Sequence, residues 1–202
     1  MDVLKAVATR RAVKQYDPDF QIPEADLAQI LDAARMGPTA FNLQNWRFVV
    51  VTDPALRKQI RAAAWDQAQV TDASVLVVVC ADLAAWNKNP ARYWQDAPQD
   101  VQALMSGMID QYYRGREQVQ RDEAMRSCGL AAQTLMLTAV SLGYQTCPMD
   151  GFDFDAVGKL INLPKDHTIG LFVVIGKGSA PAKPKGGSLP RQDVILANRF
   201  SV

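Results

Sequence analysis

Two basic residues four positions apart, Arg10 and Lys14, fall on one side of the chain whether the backbone is helical or extended. Arginine presents a planar fork suited to bidentate contact with a phosphate. Lysine offers a compact positive charge that can sit beside a developing anion. Such a pair on its own also describes an ordinary solvated face. A second piece, "GPTAFNLQNW", supplies small residues and backbone amides beside Thr39, with Asn42 and Gln44 as amide donors and acceptors. The same loop carries Phe41, Leu43 and Trp46, unusual in a Gly/Pro/Asn-rich connection. Our preferred reading is that these apolar residues close on a flat, ring-shaped ligand; the alternative is that they fill the core. In a third piece, "CPMDGF", Pro148 and Met149 make an adaptable apolar surface, and Gly151 lets backbone approach a ligand closely. This piece also reads as a plain turn from strand to helix.

The elements that must position these residues are legible from periodicity. "MDVLKAVATR" reads as a short helix with Val3, Leu4 and Val7 on one face, and "RAVKQYD" as extended chain. Pro23 and Glu24 open a helix with Leu27, Ile30, Leu31 and Ala34 at helical spacing, which stops at Gly37-Pro38. "WRFVVV" and "SVLVVVC" are rich in β-branched residues and apolar at every position, as in strands covered on both faces. Between them "DPALRKQIRAAAW" is helical, with Asp53 as its N-cap. A long helix over about 122–142 ends at Gly143, followed by the strands "YQTC" and "IGLFVVIG", and "VILANRF" could add a last strand. Residues 83–121 interrupt the alternation. With Trp86, Tyr93, Trp94, Tyr112 and Tyr113 among charges and prolines, they read as a helical excursion, either a lid over the site or a packed hairpin.

Composition excludes several function classes. The 202 residues suit one domain over 1–202 with a sizeable core. A net charge of +1 argues against a nucleic-acid surface. The N-terminal stretch lacks the apolar core of a secretory signal, and "GLAAQTLMLTAVSLG" is shorter than the ~20 residues of a membrane span. Cys80, Cys128 and Cys147 have no C-x-x-C spacing, which favours reduced thiols in a cytoplasmic protein and no metal site. His167 is the only histidine, so two-imidazole metal sites are excluded, and it reads as a loop residue. "GKG" at the third apolar strand runs into Pro181 with no helix after it, which argues against a dinucleotide-binding turn.

In order and spacing, "RRAVKQYD", "LDAARMGPTAFNLQNWRFVVV", "QVTDASVLVVVC", "CGLAAQTLMLTAVSLGYQTCPMDGFD" and "VVIGKG" resemble the nitroreductase family of flavin-dependent oxidoreductases. The resemblance runs from residue 1 to about 196. It implies an α+β, nitroreductase-like fold with a mixed central sheet wrapped by helices, an obligatory homodimer, and a C-terminal tail exchanged onto the partner subunit. It also implies FMN as cofactor and NADH or NADPH as co-substrate. Carried over residue by residue, phosphate contacts fall on Arg10, Arg11 and Ala12, and Lys14 lies beside the pyrimidine end of the ring. Pro38, Thr39, Ala40 and Asn42, with Gln44 near them, match the loop reaching the cofactor from the partner. Asp66 and Gln69 match polar residues at the ring edge, and Pro148, Met149, Asp150 and Gly151 the turn against the ring.

Two departures stand out. Ser188 replaces an arginine that relatives place on the phosphate, so that Lys185 or Arg191 is expected to take over. Ala12 stands where many relatives have serine.

The chemistry so implied is hydride transfer from NAD(P)H to the flavin and then, by ping-pong kinetics, to a small-molecule acceptor such as a nitroaromatic or quinone. Lys14 is the expected charge stabiliser, and no side-chain acid or base is expected. The resemblance leaves room for a family member acting on an enone or halogenated aromatic, or a flavin store or redox sensor without turnover.

Overall fold

The structure is a computed structural model that describes residues 1–200. β2 (Val75–Asp82) is buried at all eight positions and pairs antiparallel with β1 (Trp46–Val51) and β4 (His167–Gly176); β3 (Gln145–Met149) pairs with the far side of β4. The order is therefore β1-β2-β4-β3. An apolar strand without alternation needs cover on both faces, and the helices provide it. On one face Leu76, Val78 and Cys80 pack with Ile60 of α3 (Pro54–Ala63), Val70 of α4 (Gln69–Asp72) and Val157 of α7 (Phe154–Leu160). On the other face Val75, Val77, Val79 and Ala81 pack with Ile30 and Ala34 of α2 (Glu24–Ala34) and with α6 (Glu117–Ser141).

The mixed character expected of the sheet rests on one bridge. The four strands are mutually antiparallel, whereas Ala12 pairs in parallel with Thr146, so an extended strap over residues 10–17 runs beside β3. Asp53 caps α3 as expected, its side chain accepting from the Ala55 amide. α6 begins earlier than its apolar spacing suggests. The break before it is Gly115, at a φ of 69°, and the next turn is polar and exposed. α1 (Val3–Thr9) buries only Ala6, leaving Val3, Leu4 and Val7 exposed. The expected final strand is absent: Arg191–Val194 forms a short helix, α8, started by an Asp193 amide bond to the Pro190 carbonyl, and residues 183–200 are exposed.

The excursion is a third core rather than a loose flap. Leu43, Ala85, Trp86, Tyr93, Ile109 and Tyr113 form its centre, with α5 (Gln99–Tyr113) as its main helix. Its start is tied to the sheet by Lys88, whose ammonium lies 2.9 Å from both Asp82 oxygens and 2.6 Å from Asp166. That contact, with His167 alongside, pulls the Asp166 carboxyl down to about 2. His167 thus begins β4 with its ring beside Asp166, and Lys88 supplies the cation for this acidic group.

One close approach depends on a missing side chain. Between Val79 and Cys80 the β2–β4 register shifts, leaving Gly170 as the extra residue of a bulge. A Cβ there would stand 2.7 Å from Cys128 Cβ and 2.9 Å from its sulfur on α6. Gly170→Ala is expected to destabilise by about 2 kcal/mol through overpacking, and Cys128→Ala in the same chain should recover part of that loss. Urea unfolding of the single and double variants checks this.

Candidate active site

The strap, β3 and the turn after β3 bring the first set of residues together. The strap is fastened by Val13 N–H to the Thr146 carbonyl at 3.1 Å, with Val13 and Tyr16 buried beneath it. Arg10 and Lys14 lie on the same side of the extended strap, each near Cys147. Burial pushes the Cys147 thiol on β3 up, and both Lys14 and Arg10 lie near enough to oppose that rise. Arg10 Nη1 is buried with no hydrogen-bond partner among the described residues, and so is the Thr146 hydroxyl. An unsatisfied guanidinium nitrogen beside an exposed lysine suits an anionic ligand.

Arg11 does not join them. Its guanidinium donates to the Lys183 carbonyl, and the side chain lines a cleft of about 580 Å³ with Val13, Gln145 and Gly178–Ala182, on the other side of the strap. In an extended segment adjacent side chains point oppositely, so Arg10 and Arg11 cannot serve one site equally. Ala12 contributes backbone to the bridge with Thr146.

Beyond β3 the turn is held from below. Phe152 stacks on Phe172 of β4 with centroids 3.8 Å apart and planes within 3°, and Asp153 N–H donates to the Ala63 carbonyl at the end of α3. Met149 is buried, Pro148 partly so, and Asp150 is exposed. A Cβ on Gly151 would lie 2.5 Å from Cζ3 of Trp65, so the indole covers this backbone and a larger residue would have to displace it. Trp65 and Asp66 both have left-handed backbone, with φ of 53° and 52°. That kink turns Asp66 outward onto Arg61, at 2.7 Å, and sends Gln67 inward, where Nε2 donates to the Gly151 carbonyl at 2.9 Å. Gln69 is buried behind, donating to Gln67 Oε1 at 3.1 Å.

The polar group at the turn is therefore Gln67, with Gln69 as its support and Asp66 directed elsewhere. Sequence reasoning missed Trp65, Gln67 and Cys147. The local signal for the first two is an isolated tryptophan ending the alanine-rich "RAAAW".

The loop Pro38–Gln44 lies at the opposite edge. It leads into β1, three strand spacings from β3, roughly 14 Å across the sheet. Its apolar residues pack within the chain, as in the alternative reading, with Phe41 left half-buried. Leu43 is in the excursion core, Phe41 packs on Tyr112 with centroids 5.4 Å apart, and Trp46 stacks on Phe48 at 5.6 Å. The core-filling alternative holds because the excursion folds back over the loop. Thr39 Oγ1 accepts from the Gln44 amide at 2.9 Å, and Asn42 Nδ2 donates to the Tyr93 carbonyl at 2.8 Å. The tail residues Lys185, Ser188 and Arg191 are exposed, and the tail is joined to the strap at its start by the Arg11 bond to the Lys183 carbonyl.

The chain thus places the two sets of candidate residues at opposite edges of one sheet. The first holds cations, a crowded glycine turn and an amide, a set that fits a phosphorylated flat heterocycle. Among the described residues no helix is long and apolar enough to cross a membrane.

The chain is 47% identical to the protein DrgA of Synechocystis over 93% of its length and 90% of the relative's. It is 30% identical to a Thermus thermophilus protein named NADH dehydrogenase, over 97% and 96%. A provisionally assigned nitroreductase of Exiguobacterium sibiricum, solved in complex with FMN, superposes with a TM-score of 0.89 at 26% identity, covering 98% of this chain and 97% of the other. Residues 7–177 match the Nitroreductase family, and the antiparallel sheet with its two helical layers agrees: this chain belongs to the nitroreductase family and has its fold.

Proposed function

We propose that the protein is an FMN-dependent NAD(P)H oxidoreductase whose acceptors are nitroaromatics, quinones or similarly electron-poor small molecules, and that its working form is a homodimer. The observation that carries the cofactor reading is the unpartnered, buried Arg10 nitrogen next to Lys14, on the strap that borders β3 and the Gly151 turn. The FMN complex of the Exiguobacterium protein supports it, as does the name of the Thermus relative.

FMN, when bound, supplies the ring that accepts a hydride from NAD(P)H and passes it on. Arg10 binds phosphate charge, and the orphaned guanidinium nitrogen then gains its partner. Lys14 holds a positive charge where negative charge gathers on reduction; each ~1.4 kcal/mol it contributes is worth tenfold in the equilibrium. The Gly151 backbone, fixed from behind by Gln67 and Gln69, orients the ring. Trp65 shields that turn from water. Hydride transfer itself needs no acid or base from the protein, so proximity and orientation provide the rate. Donor and acceptor taking turns over one ring face gives ping-pong kinetics.

The dimer is supported by the separation of the half-sites: loop Pro38–Gln44 of one subunit can complete a site only on another. Exposed Val3, Leu4 and Val7 on α1, Leu130 on α6 and Met36 are apolar surface available for that interface. The exposed tail, residues 183–200, is free to lie on the partner, where Lys185, Ser188 or Arg191 reaches the phosphate.

Purified protein is expected to carry a yellow chromophore with the mass of FMN, to bleach within seconds on anaerobic NADH or NADPH, and to recover colour when a quinone is added. Slow or absent bleaching would identify a flavin store instead. Arg10→Ala is expected to weaken FMN binding about tenfold or more, measured by flavin fluorescence titration; unchanged affinity would remove Arg10 from the phosphate. Lys14→Ala is expected to slow flavin reduction about tenfold with a smaller change in FMN affinity. Stopped-flow absorbance decides this, and a wild-type reduction rate would remove Lys14 from the charge-stabilising role.

A further inference from the structure

Loop Pro38–Gln44 holds three non-glycine residues in left-handed backbone: Phe41 at φ 54°, Asn42 at 55° and Gln44 at 44°. A side chain disfavours this region, and a phenylalanine there is a genuine outlier. Such a conformation persists only where its surroundings over-determine it, and strain of this kind collects where a ligand is gripped.

The pins that hold this loop come from two distant parts of the chain. From α6, Glu123 Oε1 accepts the Ala40 amide at 3.2 Å. Glu123 is only 8% exposed, and its second oxygen is held by Arg126 at 2.7 Å. From the excursion come two reciprocal bonds on consecutive residues. Asn42 Nδ2 donates to the Tyr93 carbonyl at 2.8 Å, and Trp94 Nε1 donates to the Phe41 carbonyl at 3.2 Å. Inside the loop, Gln44 N–H reaches Thr39 Oγ1, and the Arg47 guanidinium donates to the Gln44 carbonyl at 3.0 Å. Both carbonyl bonds flank the most strained residues. The Tyr93–Trp94 turn is itself seated, because the Tyr93 hydroxyl donates to the Ala85 carbonyl at 3.1 Å and the Lys88 contacts tie the preceding residues to the sheet.

We infer that the Tyr93–Trp94 turn is a clamp holding loop Pro38–Gln44 in the strained shape needed to complete the flavin site of the neighbouring subunit, and that Trp94 is a positioning residue for cofactor binding. This rests on the reading that the loop serves a flavin in trans. It assigns the excursion a task other than roofing a substrate. It also gives Asn42 a different part from the one the family resemblance implies: its amide nitrogen is committed to the Tyr93 carbonyl, so it acts as a strut of the loop.

Trp94→Phe keeps an aromatic ring in the excursion while removing the indole N–H and part of the ring area, and hydrogen exchange across the excursion separates lost clamping from lost packing. With the clamp opened, the loop relaxes to ordinary backbone, and the lost bond is offset by released strain. The FMN-free melting temperature is therefore expected to stay within about 2 °C of wild type. Hydrogen exchange of the Ala40, Asn42 and Gln44 amides in the FMN-free dimer should accelerate about tenfold, with the β2 and β4 amides unchanged. FMN must then select the fraction of loops still in the required shape, so its Kd is expected to rise about tenfold.

Unchanged loop exchange and unchanged Kd would overturn the clamp. So would faster exchange throughout the excursion with a matching fall in melting temperature, which would mean that Trp94 merely packs. The exchange measurement needs no cofactor. If the wild-type protein failed to bind FMN, the flavin reading would fall, while the exchange result would still decide whether Trp94 holds the loop.

Discussion

The burial of β2 on both faces is the constraint from which the rest of the architecture follows. All eight residues from Val75 to Asp82 are buried, so the strand must have neighbours on both edges and helices above and below it. Its edges take β1 and β4. Its faces take α3, α4 and α7 on one side and α2 and α6 on the other. With the sheet occupied in this way, polar and strained segments are left to the ends and outer edges of strands. The strap settles beside β3, the glycine turn at the end of β3, and the Pro38–Gln44 loop at the start of β1.

Close approach also shapes this protein at two glycines. Gly170 lets α6 press onto the bulge between β2 and β4, and Gly151 lets the Trp65 indole lie on backbone. In each case the space that a Cβ would fill is used for packing a residue remote in sequence. At Gly151 the contact also explains the left-handed pair Trp65–Asp66, which turns one acidic side chain outward and one amide inward. The result is a turn whose backbone is fixed from behind and remains available in front.

The excursion stands between stability and function. Its apolar centre recruits Leu43 and Phe41 from the loop, while its backbone and indole N–H hold that loop's carbonyl and amide groups. Apolar residues in a Gly/Pro/Asn segment thus have a structural explanation, and their burial frees the loop's remaining backbone to face outward. The Asp82–Lys88–Asp166 contacts join this third core to the sheet.

Much of this was legible in residue types alone. Runs such as "VLVVVC" and "GLFVVI" specify covered strands because β-branched residues at every position tolerate no solvent face, and Asp53 before Pro54 specifies a helix start. The four-residue spacing of Arg10 and Lys14 puts them on one side of the chain, since that interval is in phase for both helix and strand. The order of motifs along the chain carried the family.

Tertiary structure alone decided which neighbours face the site. It aimed Gln67 at the Gly151 carbonyl and Asp66 at Arg61, spent Asn42 on the Tyr93 carbonyl, and left 194–200 without the expected strand. The reason is the range of the interactions. Periodicity reports only the next few residues, whereas Gln67 is aimed by a carbonyl 84 positions away and Ala40 by a carboxylate 83 positions away. Only the folded chain brings those partners within hydrogen-bonding distance.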